Sequence, residues 1–173
     1  MKRLFSIGFG VTLSVFLLSA VAYALGLRLN TTPSIPVGVY RLTDDPISKC
    51  SYVYFCPPPA PVFDMAKQRG YIGGGYCPGG YGHLMKKTSA AKGDVVVIGA
   101  DGVHVNGLLL PLSVPALADG AGRPLPRYQA ALVLGSAEIL LMADRNSSSF
   151  DGRYFGAINR TQIEGVIRPV LTW

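Results

Sequence analysis

A mainly β fold is predicted by three features of the chain. It carries 21 glycines and 13 prolines among 173 residues. Charged residues make up only 15%, and short apolar or alternating runs are separated by turn residues. Glycine and proline interrupt helices and punctuate strands. The expected architecture is therefore a barrel-like domain of short antiparallel strands, with one short helix, behind an apolar N-terminal helix. The length fits a single domain with its own core. The net charge of +6 is modest and spread along the chain, which argues against nucleic-acid binding.

Met1-Lys2-Arg3 precedes a run without charge from Leu4 to Leu27. A helix needs about 20 apolar residues to cross the hydrocarbon core. Residues 1–28 are thus expected to form a membrane anchor or uncleaved signal, and residues 29–173 an extracytoplasmic domain. Lys2 and Arg3 favour a cytoplasmic N-terminus. The alternative is a cleaved signal peptide ending at Ala22-Tyr23-Ala24, with the domain released to the periplasm. The run is longer than the roughly 7–15 residues of a signal-peptide apolar region, which favours retention.

Strands are expected in order along the rest of the chain. Val37–Leu42 alternates weakly and ends at Asp44-Asp45-Pro46, and Ser51–Phe55 is rich in aromatic and β-branched types. Val62–Arg69 fits two helical turns with Phe63 and Ala66 inward. Gly70–Gly82 is a glycine-rich loop with no Gly-Lys-Ser/Thr after it, so a phosphate cradle is not indicated. His83–Thr88 reads as a strand, and Val95–Ile98 as one buried on both faces. Gly102–Gly107 is a hairpin turning at Asn106-Gly107. Pro111–Arg127 is expected as a surface loop, with strands again at Glu138–Asp144 and Ile163–Leu171.

Two prolines bracket Ser34 and hold its turn extended. Such a turn suits a nucleophile that must present its hydroxyl in one place. A base is available downstream at Lys86-Lys87, whose side chains point to opposite faces of a strand. Burial disfavours an ammonium, and bringing a lysine from about 10.4 to near 7 takes on the order of 4–5 kcal/mol. A neutral lysine beside a serine can take the hydroxyl proton. Two solvated lysines on an edge strand would look the same in sequence. Cys77 with His83, and a serine with His104, are the other nucleophile–base combinations the composition permits. Of the three cysteines, Cys56 and Cys77, each followed by proline in a loop, are the pair expected to bond in an exported domain, leaving Cys50. Their spacing matches no common zinc pattern.

Ser34 between prolines, Met85-Lys86-Lys87 with Lys92-Gly93-Asp94, and Ser149-Phe150-Asp151-Gly152-Arg153-Tyr154-Phe155-Gly156 together resemble the boxes of the type I signal peptidase superfamily of Ser–Lys proteases. Phe55-Cys56-Pro57-Pro58, Cys77-Pro78-Gly79-Gly80-Tyr81-Gly82 and Ile167–Trp173 resemble the TraF-type conjugative-transfer peptidases in particular. The resemblance implies a signal-peptidase-like barrel. It also implies Ser34 as nucleophile and Lys86 as general base, with the oxyanion held by the Ser34 N–H and the Thr32 hydroxyl. Lys87 stands where an arginine is common, and Pro33 where a glycine is common. Asp151 is implied as a site-organising carboxylate, with Arg153 its salt-bridge partner two residues along the same strand face.

The function so implied is a membrane-anchored serine endopeptidase that processes a pilin precursor for conjugative pilus assembly through an acyl-enzyme. In some family members the substrate's own N-terminal amine resolves that intermediate, giving a cyclic pilin. The alternatives are a general type I signal peptidase removing leaders from exported proteins, and an inactive structural factor of the transfer apparatus. The expected partners are the pilin precursor, the inner membrane and other mating-pair-formation proteins. No metal, cofactor or nucleic acid is implied.

Overall fold

The computed structural model describes residues 2–173, with side chains from Gly8 onward. The chain opens with a helix, α1 (Lys2–Ala24). Thr12, Ser14 and Ser19 donate their hydroxyls to carbonyls four residues back, which satisfies these polar groups within the helix. Phe9, Phe16 and Leu18 project outward and are largely exposed. Among the described residues no helix is long and apolar enough to cross a membrane.

The elements that follow are β1 (Leu27–Asn30), β2 (Gly38–Thr43), β3 (Tyr52–Phe55), α2 (Pro61–Gln68), β4 (Gly74–Cys77), β5 (Leu84–Ala90) and β6 (Val95–Gly99). Then come β7 (Gly102–Val105), β8 (Leu108–Leu109), β9 (Ala130–Val133), β10 (Glu138–Met142), α3 (Gly152–Phe155), β11 (Ile158–Asn159) and β12 (Ile163–Thr172). A seven-stranded sheet runs β1-β2-β12-β3-β5-β10-β11, and a four-stranded sheet runs β8-β7-β6-β9. Neighbouring strands are antiparallel in both. The mainly β expectation is met, but the strands divide between two sheets and do not close one barrel.

Local chemistry explains most of the boundaries. Pro61 opens α2, where its missing N–H costs nothing, and Phe63 and Ala66 form its buried face. The β7–β8 hairpin turns at Asn106 (φ 52°) and Gly107 (φ 81°), the pair of positive φ values a two-residue turn requires. Gly38 (φ 154°) is pressed so closely against β12 that a Cβ would lie 2.1 Å from the Leu171 oxygen.

The strand covered on both faces is β10, and the expectation for Val95–Ile98 is corrected. In β6, Val96 and Ile98 are buried while Val95 and Val97 are 46% and 41% exposed. The small sheet has a core on one side only, so an all-apolar run there leaves half its side chains in solvent. Ile139 and Leu141 of β10 join a core with Phe55, Phe63 and Phe150. Leu140 and Met142 join a second core with Val96, Ile98 and Val103. Alternation along one strand thus welds the two sheets.

Candidate active site

The turn between β1 and β2 is closed by the pairing of Asn30 with Gly38 and carries Ser34 at 7% exposure. Asp144 N donates to the Ser34 carbonyl (3.1 Å), and Trp173 N to Val37 O (3.0 Å). Tyr40 OH donates to Pro36 O at 2.6 Å. These bonds pin the turn to β2 and to both long-range neighbours. Among the described residues, no hydrogen bond uses the Ser34 N–H.

Lys86 lies in β5 opposite Val53, a central position that buries it to 3% exposure. Its Nζ donates to Ser34 Oγ at 2.8 Å. Burial pushes the Lys86 ammonium down to about 8, opposed by the Asp151 carboxylate and aided by Arg153. Lys87 points the other way. Its Nζ lies 3.3 Å from Asp144 Oδ2 at the half-exposed edge, so of the pair only Lys86 meets Ser34.

On its other side Ser34 Oγ shares a 2.8 Å hydrogen bond with Ser149 Oγ, a residue 6% exposed. Ser149 opens the Ser149–Gly156 box, and local sequence alone implies no role for it. Its position two residues before Asp151 was the available signal.

Asp151 and Arg153 are both fully buried. Nε and Nη2 of Arg153 donate to Oδ1 and Oδ2 of Asp151, each at 2.8 Å. Asp151 also accepts from Ala143 N at 2.9 Å, and Arg153 Nη1 reaches Ser147 O at 2.6 Å and Val114 O at 3.3 Å. The two residues do not share a strand face, as the spacing had suggested. Asp151 caps α3 by accepting from Arg153 N, and the same cap places the guanidinium against the carboxylate. This bidentate pair ties the end of β10, the segment holding Ser149 and the segment after β8 into one unit.

Thr32 is exposed and borders the same cavity as Ser34 and Lys86. Its hydroxyl donates to Asn30 Oδ1 at 3.0 Å. The cavity is about 320 Å³, walled by Thr32 and Pro33, by Tyr71 and Ile72, by Leu84 of β5, and by Ala116, Asp119 and Leu125. The stretch expected as a surface loop, residues 111–127, therefore supplies one wall of the site. Asp119 fixes it by accepting from Arg123 Nε at 2.7 Å and from the Tyr71 hydroxyl, bonds that hold its carboxyl well below the usual range. A wider groove bordered by Arg28, Tyr54, Gly74 and Tyr76 shares Thr32 and Lys86 with this cavity.

Cys56 and Cys77 are disulfide-bonded, and Cys50 is free and exposed. The donor atoms of Cys56, Cys77 and His83 come within 4.8 Å of one another, but the two sulfurs are consumed by their own bond. A Cys77–His83 nucleophile is ruled out for the same reason. His83 instead meets Glu164 at 2.9 Å and stacks on Tyr54. His104 sits in the small sheet near Asp101 and does not approach Ser34. The phosphate-cradle reading of the glycine-rich loop has no support either, since β4 and a short 3-10 turn at Pro78–Gly80 form there and no α-helix opens.

A family model described as signal peptidase, peptidase S26, matches residues 1–173. The chain is 60% identical over 161 residues to a plasmid transfer protein TraF of Escherichia coli, covering 92% of this chain and 90% of that one. A second Escherichia coli plasmid transfer protein TraF is 57% identical over 169 residues, covering 97% and 94%. A conjugal transfer protein TraF of Agrobacterium tumefaciens is 36% identical over 166 residues, covering 95% and 93%. On these grounds the chain belongs to the signal peptidase family, peptidase S26, alongside TraF-type transfer proteins.

Proposed function

We propose that this protein is a membrane-anchored serine endopeptidase that processes a pilin precursor during conjugative pilus assembly. The observation that carries the reading is the 2.8 Å contact between Lys86 Nζ and Ser34 Oγ in a buried site. Neutral Lys86 takes the Ser34 proton as Oγ attacks the scissile carbonyl. The Ser34 N–H and the Thr32 hydroxyl stabilise the oxyanion. Collapse breaks the C–N bond, and Lys86 returns its proton to the leaving amine, leaving an ester on Ser34. Water then releases a linear product, or the substrate's own N-terminal amine attacks the ester and closes a ring. Ser149 orients the Ser34 hydroxyl toward Lys86, and the Asp151–Arg153 pair holds Ser149 in place.

α1 anchors the domain in the inner membrane, with Lys2 and Arg3 on the cytoplasmic side and the site at the periplasmic surface. Its outward apolar side chains support that reading. The short connection from α1 to Ser34 keeps the nucleophile near substrates that are themselves membrane-bound, and near other mating-pair-formation proteins. The names of the relatives, plasmid and conjugal transfer proteins, support a role in conjugation.

The test is the mass of mature pilin in cells carrying Ser34→Ala, Lys86→Ala or Lys87→Ala. Ser34→Ala and Lys86→Ala abolish processing, while Lys87→Ala retains it. Cyclic product is lighter than linear product by one water. Processing by Ser34→Ala sinks the mechanism, and normal pili from that variant would assign a structural role instead. Cleavage of generic leader peptides as efficiently as pilin would make the protein a general signal peptidase.

A further inference from the structure

Asn30 ends β1 and is only 4% exposed. Its Nδ2 faces three main-chain carbonyls: Thr32 at 2.8 Å, Pro36 at 3.0 Å and Ile35 at 3.1 Å. Its Oδ1 accepts from Thr32 N at 3.1 Å and from Thr32 Oγ1 at 3.0 Å. One amide therefore engages groups on both sides of Ser34. The turn needs such a partner because Pro33 and Pro36 have no N–H to offer, and buried carbonyls left without donors are costly. A carboxylate of the same shape would lack the donors. A leucine would lack both donors and acceptor.

We infer that Asn30 is a positioning residue for the reaction, holding Thr32 where its hydroxyl can serve the oxyanion. This rests on Ser34 being the nucleophile. Asn30 is not among the residues that wall the cavity holding Ser34 and Lys86, so it acts through Thr32. At rest the Thr32 proton is held by a neutral amide oxygen. When negative charge develops on the substrate oxygen, the stronger charge-assisted bond draws the proton across by rotation of the O–H alone. The amide releases that proton more readily than a carboxylate would, and Thr32 keeps its place through the bond from its own N–H.

The experiment uses the full-length protein in detergent micelles with p-nitrophenyl acetate, following release of p-nitrophenolate. Asn30→Ala is expected to lower kcat by about tenfold or more, less than the 10²–10³-fold cost of deleting an oxyanion donor outright, with KM nearly unchanged. In a Thr32→Val background the same change is expected to cost less than about threefold, because the hydroxyl it positions is gone. Asn30→Asp preserves the shape and carries the test if Asn30→Ala fails to fold; its kcat is expected to fall as well. Undiminished kcat in a folded Asn30 variant overturns the inference. So does a full Asn30 penalty in the Thr32→Val background, which would mark a general structural role. A Ser34→Ala protein as active as wild type removes the proposed function and this inference together. An inactive Ser34→Ala beside an undiminished Asn30→Ala removes the inference alone.

Discussion

Lys86 carries a conflict between folding and chemistry in one side chain. Burial holds its ammonium down to about 8, so the free amine needed as a base is a minor species at neutral pH. Activity is expected to rise with pH through about 8, with the slope of one proton, measured as kcat/KM on pilin precursor. The sign for stability follows from the same shift. Below about pH 8 the lysine is protonated in both the folded and unfolded states, and the folded state bears the full cost of a buried charge. Between about 8 and the ordinary lysine range the unfolded state binds more protons, so stability rises with pH. Lys86→Met should therefore stabilise the fold at pH 7, on the order of 3 kcal/mol at most. Chemical denaturation across pH should show that advantage shrinking as pH rises past 8. A constant advantage would mean that packing, rather than the buried charge, is responsible.

At the scale of elements, the site is assembled where loops from distant parts of the chain meet the middle of β5. The Ser34 turn comes from the β1–β2 connection, Ser149 from the segment before α3, and the far wall from the segment after β8. The Cys56–Cys77 bond acts on the same scale, because it ties the end of β3 to the end of β4 and so fixes the glycine-rich side of the groove. The bridged residues are 21 apart in sequence, and a loop of that size contributes about 3 kcal/mol by restricting the unfolded chain. Replacing both cysteines with serine should lower the denaturation midpoint by a corresponding amount. The wild-type protein treated with a dithiol should fall to the same midpoint. If the two differ, the serines themselves disturb the core.

At the scale of the molecule, the two faces of β10 pack into the two cores that join the sheets, and Tyr23 of α1 borders the groove beside the cavity. Under the proposed function, a peptidase domain tethered by a short link gains effective concentration toward substrates in the same membrane. Removing residues 1–24 should leave ester turnover by the domain nearly unchanged. Processing of membrane-embedded pilin precursor should fall by tenfold or more, on the order of the loss expected when tethering is lost. Co-sedimentation with lipid vesicles checks the anchor directly: the full chain should pellet with them and the shortened one should not.

Much of this was legible along the chain because it depends on neighbours in sequence. Alternation put Lys86 and Lys87 on opposite faces, the prolines marked the rigid turn at Ser34, and Asn106-Gly107 marked its hairpin. The strands at 38–43, 52–55 and 138–142 followed from composition and period. What stayed hidden depends on contacts that no local pattern encodes. Four consecutive apolar residues read alike in β6 and β10, yet only β10 is covered twice, because coverage is decided by which sheets pack where. Asn30 and Ser149 had no role assigned by local pattern; folding places the first in the Ser34 turn and the second, 115 positions from Ser34, onto its hydroxyl. Asp151 and Arg153 fit a strand by spacing, but the chain turns into α3 there, and the N-cap geometry brings guanidinium and carboxylate together. Sequence alone determined the chemical types available and the local stiffness that presents them. Tertiary structure decided which of them meet and which lysine loses its water, since desolvation and hydrogen-bond geometry are properties of packing.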